Sequence, residues 1–214
     1  MPSRIRCNPP GPIRTMLRTM PDRSQRMVWV DLEMTGLDED RCSIVEIATI
    51  VTESDLSIVA EGPCLVIHQP EEALATMTEF VRDLHTRSGL LDRIRASTVS
   101  LSSARDETLA FLAKHCEPGK SPLCGNSVWK DRAFLQKGMP EILSFLHYRI
   151  IDVSTIKELV RRWCPAKEAP KKREVHRALE DIRESIAELR WYRDRIFPMP
   201  DMSAMATPIP GTTR

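Results

Sequence analysis

The sequence predicts a single α/β domain whose mixed sheet is flanked by helices. Two observations predict it: three Val- and Ile-rich segments follow one another early in the chain, and helical and strand patterns then alternate to its end. The early segments are 27–33, 44–53 and 58–68, bounded by Gly, Asp and Ser. The third is interrupted by Gly62-Pro63, which a bulge or an edge position tolerates. Helical character follows at 73–84 and 104–115, where Leu109, Leu112 and Ala113 recur at helical spacing. A short strand at 121–126 enters a helix at 128–137. Another strand, 148–153, precedes a helix running to Trp163, with Ser154 as its candidate N-cap. The last helix, 176–195, has an apolar stripe at Ala178, Ile182, Ile186, Leu189 and Ile196.

Proline placement sets the borders. Pro2, Pro9, Pro10, Pro12 and Pro21 fall in 1–26, and Pro198, Pro200, Pro208 and Pro210 in 198–214. Neither segment holds enough apolar side chains to offset its ordering entropy, so both are expected to be disordered and 27–197 to be the domain. Residues 1–26 carry six arginines against Asp22 alone, which is how a mitochondrial transit segment reads. Met16, Met20 and Met27 offer the other account, a start codon further downstream. A cytoplasmic location is expected on the second account and a mitochondrial one on the first.

With 42% hydrophobic residues the 214-residue chain can build a substantial core. Lys and Arg total 31 against 30 acids, a net charge of +1, which excludes nucleic-acid binding by bulk positive charge. Binding through metal ions and local contacts is left open. No apolar run is long enough to span a membrane. The six cysteines are widely spaced without a C-x-x-C pair, which disfavours a zinc site or a disulfide framework and favours a reducing compartment.

The most informative segment is Val30-Asp31-Leu32-Glu33-Met34-Thr35-Gly36-Leu37-Asp38. Residues i and i+2 of a strand share a face, so Asp31 and Glu33 project together. Such a pair is either solvated or neutralised by a hard divalent cation, Mg²⁺ or Mn²⁺. Asp131 lies where a strand passes into a helix; it could face the same crevice or simply favour the helix dipole. In His176-Arg177-Ala178-Leu179-Glu180-Asp181, five residues of helix turn a side chain by roughly 140° from its start. His176 and Asp181 therefore converge only if His176 sits at or before the helix start. Singly, each has an ordinary surface or capping reading. Jointly, D-x-E, D and H-x4-D supply what a two-metal phosphodiesterase requires: four carboxylates to balance two divalent ions, and a histidine to take a proton from water.

These residues resemble the DEDDh group of 3′→5′ exonucleases, which share an RNase H-like fold, and within it the oligoribonuclease family. The resemblance is carried by Trp29 through Asp38, Leu123-Cys124-Gly125-Asn126-Ser127 with Asp131-Arg132, His147-Tyr148-Arg149, Asp152-Val153-Ser154-Thr155, and His176-Arg177-Ala178-Leu179 with Asp181. It implies a homodimer that shortens single-stranded RNA of two to a few nucleotides to 5′-mononucleotides. It assigns two divalent cations to Asp31, Glu33, Asp131 and Asp181, and the general base to His176. Leu37 would wedge between the bases and Phe80 would stack on one. Ser127, Arg149, Ser154 and Thr155 would cap the 5′ phosphate. Tyr148 would come from the partner protomer, and His85 would stand near the 3′ end.

The chain departs from the family at three places. Phe80 stands where Trp is usual, Trp129-Lys130 where a small residue and an amide are common, and Glu174-Val175 where small or hydroxyl residues precede the histidine. Two other readings remain at this stage: a DEDDh enzyme trimming DNA or longer RNA, and a non-catalytic RNA- or partner-binding module.

Overall fold

The computed structural model describes residues 23–166 and 177–197. Strands β1 (Met27–Met34), β2 (Ile44–Thr52) and β3 (Ile58–Val66) form an antiparallel meander. Helices α1 (Glu71–Leu74), α2 (Glu79–Arg87), α3 (Leu90–Ala96) and α4 (Leu101–His115) lead back to β4 (Pro122–Gly125), which pairs parallel to β1. Helices α5 (Val128–Gly138) and α6 (Pro140–Phe145) then lead to β5 (His147–Asp152), parallel to β4, before α7 (Val153–Trp163) and α8 (Ala178–Arg195). The sheet order is β3-β2-β1-β4-β5, the mixed sheet flanked by helices that the sequence predicts.

Period-two alternation along β1 divides the core. Val28, Val30 and Leu32 join Ile47 and Val51 of β2 beneath α4, α5 and α6. Met27 and Trp29, with Ala48 and Ile50, meet Ala178, Ile182, Ile186 and Leu189 of α8 on the opposite face. The stripe expected on the last helix is thus buried, with Ile196 half-buried against it; each enclosed Ile or Leu contributes about 1.5–3 kcal/mol. Trp29 is wholly buried, and its indole N–H donates to Thr52 Oγ1 at 3.0 Å. Gly125 ends β4 where a Cβ would lie 3.2 Å from the Val30 carbonyl oxygen and 3.0 Å from Val128 Cγ2, so the turn into α5 packs tightly against β1.

Several boundaries differ from expectation. Residues 23–26 were expected to lie outside the domain, yet Arg23–Gln25 form a 3-10 turn and Arg26 is buried. Its guanidinium ion-pairs with Glu53 and bonds the His115 carbonyl, contacts that compensate its burial. The expected helix over 73–84 is two helices, because Thr78 caps a new one by accepting the Val81 N–H. Helices α3 and α6 were not expected. The cap of α7 is Asp152, whose Oδ1 accepts the Ser154 N–H, rather than Ser154 itself. Pro63 lies on the edge strand β3, and the β2–β3 register shifts between Ala48 and Ile50, so edge position and bulge both accommodate it. Among the described residues the five cysteines are free thiols, and no helix is long and apolar enough to cross a membrane.

Candidate active site

Strand β1 pairs with β4 only at Val28–Leu123 and Trp29–Cys124. Strand β4 ends at Gly125 while β1 runs on to Met34, so the carboxyl half of β1 lies past the end of β4, at the point where strand order reverses, the usual position of ligands in open α/β sheets. Asp31 and Glu33 share the β1 face that packs on α8, and Asp181 occupies the first turn of α8. One carboxylate oxygen from each lies within 4.8 Å of the others. Asp131, one turn into α5, is 7% exposed and stands outside that group; its Oδ1 accepts the Leu32 backbone N–H at 3.0 Å. His176 lies outside the described residues. The helix that follows it begins at Ala178, as convergence with Asp181 demands.

Crowding of carboxylates shows in their acidity. Burial first, then the charges of Asp181, Glu46 and Asp131, push the Glu33 carboxyl up to about 8, against a smaller pull from Arg177. Asp131 is also raised, chiefly by burial and further by Asp152, while the N–H bonds of Leu32 and Asp131 itself oppose the rise. Without a cation the Glu33 carboxyl would hold a proton at neutral pH. Hard oxygen donors gathered within 4.8 Å of one another fit a divalent ion of the Mg²⁺ or Mn²⁺ class.

A pH prediction follows. A carboxyl raised on folding binds more protons in the native state than in the unfolded one, so stability falls as pH rises. Melts in excess chelator should lose stability steadily from about pH 4.5 to about pH 8, the ordinary and native values for Glu33. Added Mn²⁺ should raise the melting temperature more at pH 8 than at pH 6. A chelated melt that rises over this window would contradict the assignment.

A cavity of about 460 Å³ adjoins the cluster, lined by Glu33, Leu37, Phe80 and His85 among others. The apolar residues expected to meet the bases therefore share a wall with a candidate ligand. Leu37 and Phe80 are 70% and 71% exposed, available to a ligand rather than consumed by the core. His85 is buried, and its Nε2 donates to the Met34 carbonyl at 2.9 Å, so it braces the end of β1.

The expected phosphate-cap residues lie where α5 and α7 begin. Ser127 and Ser154 have their hydroxyls 3.2 Å apart. The Ser127 N–H donates to Asp152 Oδ1 and Ser154 Oγ, and the Ser154 hydroxyl donates to Asn126 Oδ1. Thr155 is exposed beside them. Arg149 and Tyr148 are exposed on β5, the guanidinium carbon 5.5 Å from the ring centroid. Trp129 is 57% exposed, and Lys130 Nζ donates to the Leu37 carbonyl and to Glu39 at 3.0 Å each, tying the Leu37 loop to α5. A larger cavity, about 690 Å³, opens around Cys42, His68 and Gln69 and includes none of the site acids.

Sequence reasoning gave no role to Glu46, Asn126 or Asp152. Glu46 had a readable signal: an acid inside the apolar run Ile44–Thr52, where burial demands partners. Asn126 and Asp152 stand in segments that carry the family resemblance, but polar residues at the ends of short strands are ordinary and nothing local marks their role.

A cavity walled by exposed Leu37 and Phe80 beside clustered carboxylates suits a nuclease. A family model described as an exonuclease matches residues 28–189, and the chain belongs to that family. Within it, the oligoribonuclease of Marinobacter nauticus is 54% identical over 175 residues, 81% of this chain and 97% of that protein. The oligoribonuclease of Vibrio cholerae is 57% identical over 175 residues, covering 81% and 96%. The chain is thus a member of the oligoribonuclease family of exonucleases. Among solved structures, exonuclease I of Methylocaldum szegediense superposes with a TM-score of 0.63 at 16% identity. Exonuclease I of Escherichia coli bound to an oligonucleotide gives 0.64 at 14% identity. Each alignment covers 80% of this chain and 41% of the other, so the chain spans about two fifths of those proteins and shares their RNase H-like fold.

Proposed function

We propose that this exonuclease is a 3′→5′ exoribonuclease that degrades single-stranded RNA of two to a few nucleotides to 5′-mononucleotides. The observation that carries the reading is the shared wall: Glu33 belongs both to the carboxylate cluster and to the cavity lined by Leu37 and Phe80. Asp31, Glu33 and Asp181, with Asp131, would hold two divalent cations, Mg²⁺ or Mn²⁺. Bound there, such ions activate water and offset charge at the scissile phosphate. Leu37 separates two bases and Phe80 stacks on one, fixing the terminal nucleotide against the acids. The Ser127 and Ser154 hydroxyls, at two helix starts, receive the 5′ phosphate, with Arg149 and Thr155 completing the cap. Both serines are held by Asn126 and Asp152, so the cap is rigid and favours substrates whose 5′ end stops there. The His176 imidazole accepts the proton of the attacking water.

Purified protein with Mn²⁺ and end-labelled RNA and DNA of two, five and twenty nucleotides tests this. Fastest turnover of the RNA dinucleotide supports the proposal. Preference for the twenty-mer or for DNA would replace it with a trimming nuclease, and no product with any metal would leave a binding module.

A homodimer completes the site in this reading. Strand β5 lies at the sheet edge and exposes Tyr148 and Ile150, and α7 exposes Leu159 and Trp163. An open sheet edge carrying exposed apolar side chains suits a second copy, whose Tyr148 would reach the substrate. Ile150→Arg should halve the mass measured by sedimentation and lower dinucleotide cleavage by about 5- to 150-fold, as loss of a stacking contact worth about 1–3 kcal/mol predicts. An Ile150→Arg protein of unchanged mass would remove β5 from the interface. Free thiols fit a reducing location, the cytoplasm or the mitochondrial matrix.

A further inference from the structure

Glu46 is a wholly buried acid that the proposed chemistry does not use. It is the cross-strand partner of Glu33, so the two side chains leave the sheet on the same face. Its carboxylate meets three elements. Oε1 accepts from Arg93 Nη1 of α3 at 3.2 Å and from Arg177 Nη2 at 3.4 Å, and the Cys64 thiol of β3 lies 3.7 Å away. Oε2 accepts the backbone N–H of Ala178 at 3.3 Å. That N–H is one of the donors at the start of α8 that the helix cannot satisfy itself, and the preceding Arg177 offers no side-chain cap. Glu46 supplies the cap from another strand.

The grip passes directly to the acid cluster. The Asp181 N–H donates to the Arg177 carbonyl at 2.9 Å, so the turn that carries Asp181 closes on the residue whose side chain Glu46 holds. One residue further on, Ile182 is buried against β1 and β2. The first turn of α8 is thereby fixed from both sides, and its rotation decides where the Asp181 carboxylate points.

We infer that Glu46 is a positioning residue: by capping α8 and pairing with Arg177 it holds Asp181 within reach of Asp31 and Glu33. The inference rests on the reading of that cluster as a divalent-cation site. The rival account is that Glu46 merely adds negative charge beside Glu33. Both accounts expect Glu46→Gln to weaken cation binding, so Arg177 decides between them. If charge alone mattered, Arg177→Gln would tighten binding by removing a cation, and Arg177→Lys would leave it unchanged. If positioning matters, both free the helix start and both weaken binding.

Mn²⁺ affinity measured by calorimetry on the full chain, beside thermal melts, tests this without reference to turnover. Expected is a rise in Kd of about 10- to 100-fold for Glu46→Gln, the usual cost of losing a partner that orients a ligand. Arg177→Gln and Arg177→Lys should each raise it severalfold, with kcat falling and KM for a dinucleotide little changed. Should Glu46→Gln fail to melt cooperatively, the two Arg177 variants still decide. Tighter binding by Arg177→Gln, or wild-type affinity in Arg177→Lys, overturns the positioning role while leaving the metal centre intact. Absence of Mn²⁺ binding by the unaltered protein would overturn the metal centre and this inference together.

Discussion

Asp31→Ala should abolish turnover, by at least about a thousandfold, while leaving the cation-free fold as stable as before. The loss should exceed the 10- to 100-fold cost of removing an outer partner, because Asp31 offers its oxygen directly to the cluster. Folding should not suffer, since the side chain is one of three carboxylates crowded within 4.8 Å and its removal relieves repulsion. Chelated melts and Mn²⁺ titrations separate the two effects. The melt should stay in place or move upward, and the Mn²⁺-induced rise in melting temperature should disappear. A collapsed melt without metal would mean that Asp31 is a structural acid whose loss inactivates by unfolding.

His176→Ala should reduce kcat by roughly 10²- to 10⁴-fold, the usual contribution of a positioned general base. Affinity for a non-hydrolysable dinucleotide should change less than about threefold, as expected of a residue that acts on water rather than on the bases. The rate that remains should also lose its dependence on a group titrating near neutrality. An affinity that falls as steeply as the rate would move His176 from the proton-transfer step to substrate binding.

The site was legible wherever a short period governs side-chain direction. Asp31 and Glu33 could be placed on one face from strand alternation alone, and the α8 stripe from helical spacing; both hold. What escaped was decided by contacts between distant segments. Nothing local splits 73–84 except the threonine that happens to cap α2. Helix α3 follows Gly89, whose φ of 70° turns the chain where the sequence shows no stronger signal. Helix α6 could have been found, because Pro140 stands at its first turn. Arg26 passed for part of a loose basic leader, since only the folded chain shows Glu53 and the His115 carbonyl beside it. The proximity of Ser127 to Ser154 follows from parallel pairing of β4 with β5, which no local pattern announces.

The cluster is drawn from the first strand and the last helix, so it has no existence in a partial chain. A polypeptide still emerging from the ribosome presents the strands of the meander first, yet it lacks Asp181 until α8 arrives. On the proposed two-metal chemistry the nuclease would be inert throughout synthesis, at the moment when it sits closest to messenger and ribosomal RNA. For the same reason any truncation that removes α8 should yield a silent protein rather than a weakened one, and a bound cation would act as a clasp between the two ends of the domain.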